Sequence, residues 1–455
     1  MIDKTPFGMT ARPFSLRGSL VPATMTGFTA CLLAAICLVS GTLARKGFGP
    51  GEQEWGYVQV RPNANMFWWL YYTSANVSSY YDKPLIIWLQ GGPGASSTSY
   101  GNFEELGPLD LDLKPRNYTW VKDYNVLFID NPVGTGFSYT TSSTAYATTN
   151  AQIASDLVEC MRGFLKKLPK FANVSTYITT ESYGGKMGAE FALAWYKAQQ
   201  AGTIKSKLKG VALGDAWISP IDSVLTWGPF LYQTGMVDKN GLSEIDRAAR
   251  ATQDAVRTGK WRAATNLWSY TEGVIVKVTH NINFYNILTK TNYMYGKNWF
   301  LSNPMLKRDD GVSVYDASLT NLMNGPVKRA LNLSVNHGVQ SNTVFSKLQE
   351  DFMKPVVDKV ELLLNQTDLK VIVLTGQLDL IVDTPGTFDW VDKMQWKGRR
   401  EWRLTDRVPL TAQNVIEGYA TSYGNLAMYW VNRAGHMVPK DNPAAMAQIL
   451  KRFTG

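Results

Sequence analysis

The amino-acid pattern points to an α/β architecture: a mostly parallel central sheet flanked by helices, with a largely helical insertion. Short continuous apolar runs recur along the chain, as in strands buried on both faces. Segments of helical periodicity alternate with them, which is the pattern of parallel strands joined by crossover helices. The rhythm stops near residue 219 and resumes near 350, so one long segment departs from the sheet and returns to it. With 455 residues, 45% of them hydrophobic and 18% charged, the chain has ample material for one large core.

The first segment is a targeting leader. Lys4, Arg12 and Arg17 precede the apolar run Phe28 to Val39, and Thr42-Leu43-Ala44 offers small residues for cleavage. The run is too short to span a bilayer comfortably, so residues 1–44 read as a removable signal peptide, with Met25 an alternative start. Five N-x-S/T sequons, at Asn76, Asn117, Asn173, Asn332 and Asn365, fit secretion. Cys31 and Cys37 fall in the leader, which leaves Cys160 alone and no internal disulfide. Cys160 lies on a helix-like stretch and reads as a small buried hydrophobe.

Residues 45–218 read as the first part of the sheet domain. Trp55 to Val60 and Met66 to Tyr72 form a hairpin around Arg61 to Asn65. Pro84 to Leu89 and Val126 to Ile129 are buried strands. An amphipathic helix carries Ile153, Leu157, Val158, Met161, Phe164 and Leu165 on one face and stops before Pro169. Val174 to Thr179 is the next strand, and Lys209 to Leu213 another, ending at Gly214-Asp215.

Residues 219–349 read as a cap over the active site. Leu242 to Val256 and Trp261 to Val276 look helical, whereas Asn292 to Val314 is irregular and polar-aromatic. The sheet domain resumes over 350–455, with strands at Leu369 to Leu374 and Leu426 to Val431. A last helix takes Asn442 as N-cap and Pro443 as its first residue.

Polar residues with chemical potential sit just beyond the carboxyl ends of these strands, where open α/β sheets place their sites. Thr180-Glu181-Ser182-Tyr183-Gly184-Gly185 is a partial match to the G-x-S-x-G elbow, with Thr180 in place of the first glycine. An ordinary strand-loop-helix junction is the competing reading of that hexamer alone. Ser182, Asp379 and His436 follow the chain order of α/β-hydrolases. A serine hydroxyl needs an imidazole to take its proton, and the imidazole needs a carboxylate to hold its tautomer. Of the three histidines, His280 and His337 fall in the insertion, so His436 is the candidate base. Asp383 is a near neighbour of Asp379, but Asp379 directly follows the strand and its turn.

Four blocks together resemble the serine carboxypeptidases, and within them the retinoid-inducible branch. They are Trp88 to Ser97, Asp130 to Tyr139, Glu181 to Gly185, and Gly435 to Pro439, with Gly376 to Asp383 in support. The resemblance implies an α/β-hydrolase fold with Ser182 as nucleophile, His436 as base and Asp379 as its orienter. It also implies an oxyanion hole from the backbone N–H groups of Gly92 and Tyr183. The substrate's terminal carboxylate would be gripped by Gln90, Gly91 and Glu181. Glu105, in a segment resembling the family's second glutamate, would share a proton with Glu181. The chain departs from the family at Gln90, usually Asn, at Ala95, commonly a disulfide cysteine, and at Val382, a free cysteine in some members.

The expected activity is removal of C-terminal residues from peptides through an acyl-enzyme, favoured at acidic pH. Acyl transfer or ester hydrolysis on the same triad and a non-catalytic protective role are the alternatives. The expected partners are peptide substrates. The charge of +9 is scattered, which argues against nucleic acid. No stable membrane insertion is expected after leader removal, and no cofactor or metal; a homodimer stays open.

Overall fold

The computed structural model describes residues 46–291 and 314–455. The expected leader and nearly all of the stretch Asn292 to Val314 lie outside the described residues. Eleven strands form one sheet. The opening hairpin pairs β1 (Gln53–Arg61) with β2 (Ala64–Tyr71) in antiparallel register. The middle of the sheet is parallel. It comprises β3 (Leu85–Leu89), β4 (Asn125–Asp130), β6 (Ser175–Glu181), β7 (Lys207–Gly214), β8 (Lys370–Gly376) and β11 (Leu426–Val431), in the spatial order β4-β3-β6-β7-β8-β11. The two-residue β5 (Tyr139–Thr140) pairs with β2.

The apolar runs become buried strands because both faces are covered: every residue of β3 and β4 is buried. The far edge is different. There β9 (Val408–Ala412) and β10 (Val415–Tyr423) return antiparallel to β11. Their residues alternate between exposed and buried, with Val408, Val415 and Ile416 turned outward. The sequence reading assigns no strand there, because a half-exposed ribbon lacks a continuous apolar run.

Helix Asn150–Lys167 is capped by Thr149, whose hydroxyl accepts the N–H of Gln152. The final helix Pro443–Thr454 is capped by Asn442, which accepts the N–H of Ala445. Cys160 is fully buried, and burial pushes its thiol far above the ordinary cysteine range. After β7 the chain forms a helix the periodicity did not reveal, Pro220–Gln233, which carries Pro229 inside it. Helices Lys239–Arg257 and Trp261–Thr279 follow. The chain then returns to the sheet's carboxyl end. Gly338 bridges Gly136, and Gln340 bridges Ala95. Further backbone bonds run from Ser96 N–H to the Val339 carbonyl (3.1 Å) and from Ser341 N–H to the Gly94 carbonyl (2.9 Å).

Thr180 in the elbow has a compensating partner. A Cβ added at Gly188, two turns along the following helix, would lie 2.5 Å from Thr180 Cγ2. The clearance that Thr180 needs on the strand is supplied by Gly188 on the helix. Thr180 Oγ1 meanwhile donates to the Ala212 carbonyl at 2.9 Å. Gly188→Ala is therefore expected to lower stability by about 1–3 kcal/mol from overpacking a stiff β-branched neighbour, beyond the helix-propensity gain. Adding Thr180→Ser, which keeps the hydroxyl and removes Cγ2, should recover much of the loss in denaturant titrations.

Candidate active site

Strand β6 ends at Glu181 and delivers Ser182 at φ 61° and ψ −131°, a conformation that L-residues other than glycine rarely adopt. Three backbone bonds pin it. Ser182 N–H donates to the Gly214 carbonyl (3.0 Å), and the Ser182 carbonyl accepts from Gly185 and Trp217 (both 2.9 Å). They hold a corner that costs about 1–3 kcal/mol in isolation. Helix Tyr183–Gln200 starts immediately, so the Tyr183 N–H is among the donors with no partner inside the helix. The loop after β3 presses against this corner. A Cβ at Gly91 would sit 2.5 Å from Ser182 Cβ and 2.9 Å from the Tyr183 nitrogen. Only glycine lets Gly91 run past the serine at this distance, and Gly92 turns away with φ 106°, a backbone that favours glycine.

An imidazole and an acid are paired nearby. His436 Nδ1 lies 2.7 Å from Asp379 Oδ2, and the two side chains are 2% and 0% exposed. Asp379 Oδ1 accepts the Val382 N–H at 3.3 Å. The His436 N–H donates to the Tyr285 carbonyl at 2.7 Å, and the Tyr285 ring lies 5.3 Å from the imidazole. Among the described residues His436 Nε2 is buried without a hydrogen bond. Asp383 does not reach the imidazole; it accepts the Thr226 hydroxyl at 2.9 Å. His337 sits elsewhere, with Nε2 2.9 Å from Ser96 Oγ and its edge against Phe137. Burial pushes His337 down to about 3.

The remaining candidates form a third cluster. Gln90 Nε2 donates to Glu181 Oε1 (2.8 Å) and to Glu105 Oε1 (3.0 Å). Gln90 Oε1 accepts Trp88 Nε1 at 2.7 Å, which fixes the amide's orientation. Both glutamates are buried. As two carboxylates they would each bury an oxygen with no donor, Glu105 Oε2 and Glu181 Oε2. One proton shared between the two acids removes that penalty. Burial raises both above the ordinary glutamate range. Glu181 rises further, because Glu105 and then Asp215 and Asp379 face it, whereas Lys440 and His436 lower Glu105.

A family model described as serine carboxypeptidase matches residues 46–455. The chain belongs to the serine carboxypeptidase family. Retinoid-inducible serine carboxypeptidase of Mus musculus is 44% identical over 417 residues, covering 89% of this chain and 92% of the relative. The Homo sapiens protein of that name is 44% identical over 425 residues with the same coverage. Serine carboxypeptidase-like 51 of Arabidopsis thaliana is 36% identical over 458 residues, covering 94% and 98%. Among solved structures, Kex1(delta)p, a prohormone-processing carboxypeptidase from Saccharomyces cerevisiae, superposes with a TM-score of 0.75 at 22% identity. That match covers 89% of this chain and 91% of the other and carries the α/β-hydrolase fold.

The family departures have local explanations. The extra methylene of Gln90 is absorbed by its bond to Trp88. Ala95 has no thiol, and its loop is tied to residues 338–341 by backbone bonds and by Gln340 Nε2 donating to the Pro93 carbonyl at 3.1 Å. Val382 is buried and lends its N–H to Asp379. Sequence reasoning gave no role to Trp88, to the Lys440–Glu104 ion pair (2.8 Å) or to Asp215. Asp215 carried the same signal as the other candidates, a polar residue directly after a buried strand.

The raised acids bear on stability. The folded site keeps a proton that the unfolded chain releases near 4.5, the ordinary glutamate value, so unfolding releases it. The contribution is full below that pH and is lost as pH climbs through the raised value of the Glu105–Glu181 pair. His337 acts oppositely, because it must charge on unfolding below 6.5. Glu181→Gln should therefore flatten the decline of Tm with rising pH above about 5, relative to wild type. Thermal unfolding across pH 5 to 8 checks this.

Proposed function

We propose that this serine carboxypeptidase acts through Ser182, His436 and Asp379, and that Glu181, Glu105, Gln90 and Gly91 recognise the free carboxylate of the substrate. The observation that carries the reading is the buried His436–Asp379 bond of 2.7 Å at the carboxyl end of the same sheet whose strand β6 ends in Glu181 and delivers Ser182. Ser182 Oγ attacks the carbonyl carbon of the last peptide bond, and His436 Nε2 takes its proton. Asp379 holds Nδ1–H and stabilises the imidazolium. The developing oxyanion is met by the N–H groups of Gly92 and Tyr183, each such donor contributing about 3 kcal/mol. His436 then protonates the leaving amine, the C-terminal amino acid departs, and water cleaves the acyl-enzyme by the reverse sequence. The free Nε2 fits a resting state in which the bond to Ser182 tightens only with substrate bound.

The shared proton gives the grip its pH dependence. A protonated glutamate donates to a carboxylate, whereas two ionised ones repel it. Binding of peptides is then best in acid, while His436 must be neutral to act as base. We further assign 219–349 as a cap bordering the cleft, supported by Tyr285 against His436 and by Gln340 against the loop after β3. Entry to the secretory pathway, with secreted or lysosomal fate, is supported by the leader pattern and by the exposure of all five sequon asparagines. Among the described residues no helix is long and apolar enough to cross a membrane.

Ser182→Ala and His436→Ala are expected to fold normally and lose kcat/KM by roughly 10⁴-fold or more. A fluorophosphonate probe should label wild type and spare Ser182→Ala. For wild type, KM for a free-acid peptide should climb above neutrality while KM for its amide-blocked or ester counterpart holds. Glu181→Gln should remove most of that difference. Identical KM profiles for the two wild-type substrates would sink the carboxylate grip and leave the triad standing.

A further inference from the structure

We infer that Asp215 is a positioning residue of this centre: held as a neutral carboxylic acid, it donates a hydrogen bond to Asp379 and keeps that group the ionised partner of His436. The inference rests on the proposed triad. Asp215 is the first residue beyond β7, between the strands that supply Ser182 and Asp379. It is 1% exposed and has φ 40°, a left-handed backbone for a residue with a Cβ. Its N–H donates to the Leu374 carbonyl, and its Oδ1 accepts the Gly376 N–H, both at 2.8 Å. The strained backbone and the two bonds commit the side chain to the loop that carries Asp379. One carboxylate oxygen each of Asp215 and Asp379 and one ring nitrogen of His436 lie within 4.8 Å of one another.

Proton counting then decides the state of the pair. Asp379 receives two N–H donors, from His436 and Val382, whereas Asp215 receives the Gly376 N–H and lies against the Thr375 hydroxyl. Among the described residues neither acid is paired with a lysine or arginine. The other charged groups facing them are acidic: Glu181 from β6, itself against Glu105, and Asp383 beside Asp379. Two ionised carboxylates in contact, buried and without a cation, repel too strongly to persist, so one holds a proton. Burial, and then Asp379, push Asp215 well above the ordinary aspartate range. A carboxylic acid kept neutral in an apolar site is a good hydrogen-bond donor. Donated to Asp379, that bond spreads its charge, fixes its plane and discourages it from taking the imidazole proton.

The test is the pH profile of kcat/KM on an ester lacking a free carboxylate, which removes the Glu105–Glu181 grip from the measurement. Asp215→Ala deletes the donor and leaves Asp379 with its charge undispersed. It should lower kcat about tenfold or more and move the acid limb to higher pH. Asp215→Asn presents its carbonyl to Gly376 and its NH₂ to Asp379. It should restore kcat to within a few-fold of wild type, with the acid limb in its wild-type position. Were Asp215 ionised, removing its charge as Asn would move the acid limb to lower pH, and that result overturns the inference. So does an unchanged profile in Asp215→Ala. If Asp215→Ala does not fold, the acid limb of Asp215→Asn still decides. Fluorophosphonate labelling of Ser182 in each variant separates the two readings. Labelling lost only in Ser182→Ala keeps the triad, and an acid limb lowered by Asp215→Asn then counts against Asp215 alone.

Discussion

The close approach of two backbones, Gln90–Gly92 and Glu181–Gly184, is the constraint on which the site depends. One leaves β3 and the other β6, strands that are neighbours in the sheet, so the two segments are delivered side by side. A single Cβ at Gly91 would force them apart. Their contact places two backbone N–H groups beside one serine and brings Gln90 within reach of Glu181. The proposed nucleophile, oxyanion donors and carboxylate grip all follow from this one approach. Gly188 on the helix serves the same packing: without a Cβ there, the helix can sit close to Thr180 at the end of β6.

The second organising theme is an excess of buried acids. Glu105, Glu181, Asp215, Asp379 and Asp383 are all buried, and their charges act on one another: Glu105, Asp215 and Asp379 on Glu181, and Asp379 on Asp215 and Asp383. Lys440 stands beside them but is committed to Glu104 and is partly exposed. The molecule balances these acids with protons rather than cations. A proton is smaller than an ammonium group, turns a repulsive contact into a hydrogen bond and can be lost when pH rises. In the proposed mechanism the site therefore responds to pH at the carboxylate grip and is buffered at Asp379, where Asp215 carries the proton instead.

Much of the fold was legible because strands buried on both faces are written as uninterrupted apolar runs. β3, β4, β8 and β11 are largely of this kind, β7 becomes so after Lys209 and β6 is instead a buried Thr-rich run, and the polar residues near their carboxyl ends supply the candidate site. Features that depend on alternation or on distant partners were not. β9 and β10 are half-exposed at a sheet edge, and helix Pro220–Gln233 contains a proline that breaks the expected pattern. The preference for Asp379 over Asp383 needed the geometry of His436 to become a distance. Trp88 was legible only as a core residue, because its bond to Gln90 spans the end of a strand and a register in which both point into one pocket. Asp215 had the right position, but its role depends on the acid it faces, which lies far along the chain.

The tie between the loop after β3 and residues 338–341 has a bearing on where such an enzyme can work. In this chain that junction is a short stretch of peptide pairing, with Ala95 in its middle and Gln340 reaching over Pro93. A reductant has nothing to cut there. The one cysteine of the described residues, Cys160, is sealed inside a helix face away from solvent. Among the described residues the frame of the candidate site therefore contains no disulfide, and its pairing does not depend on one.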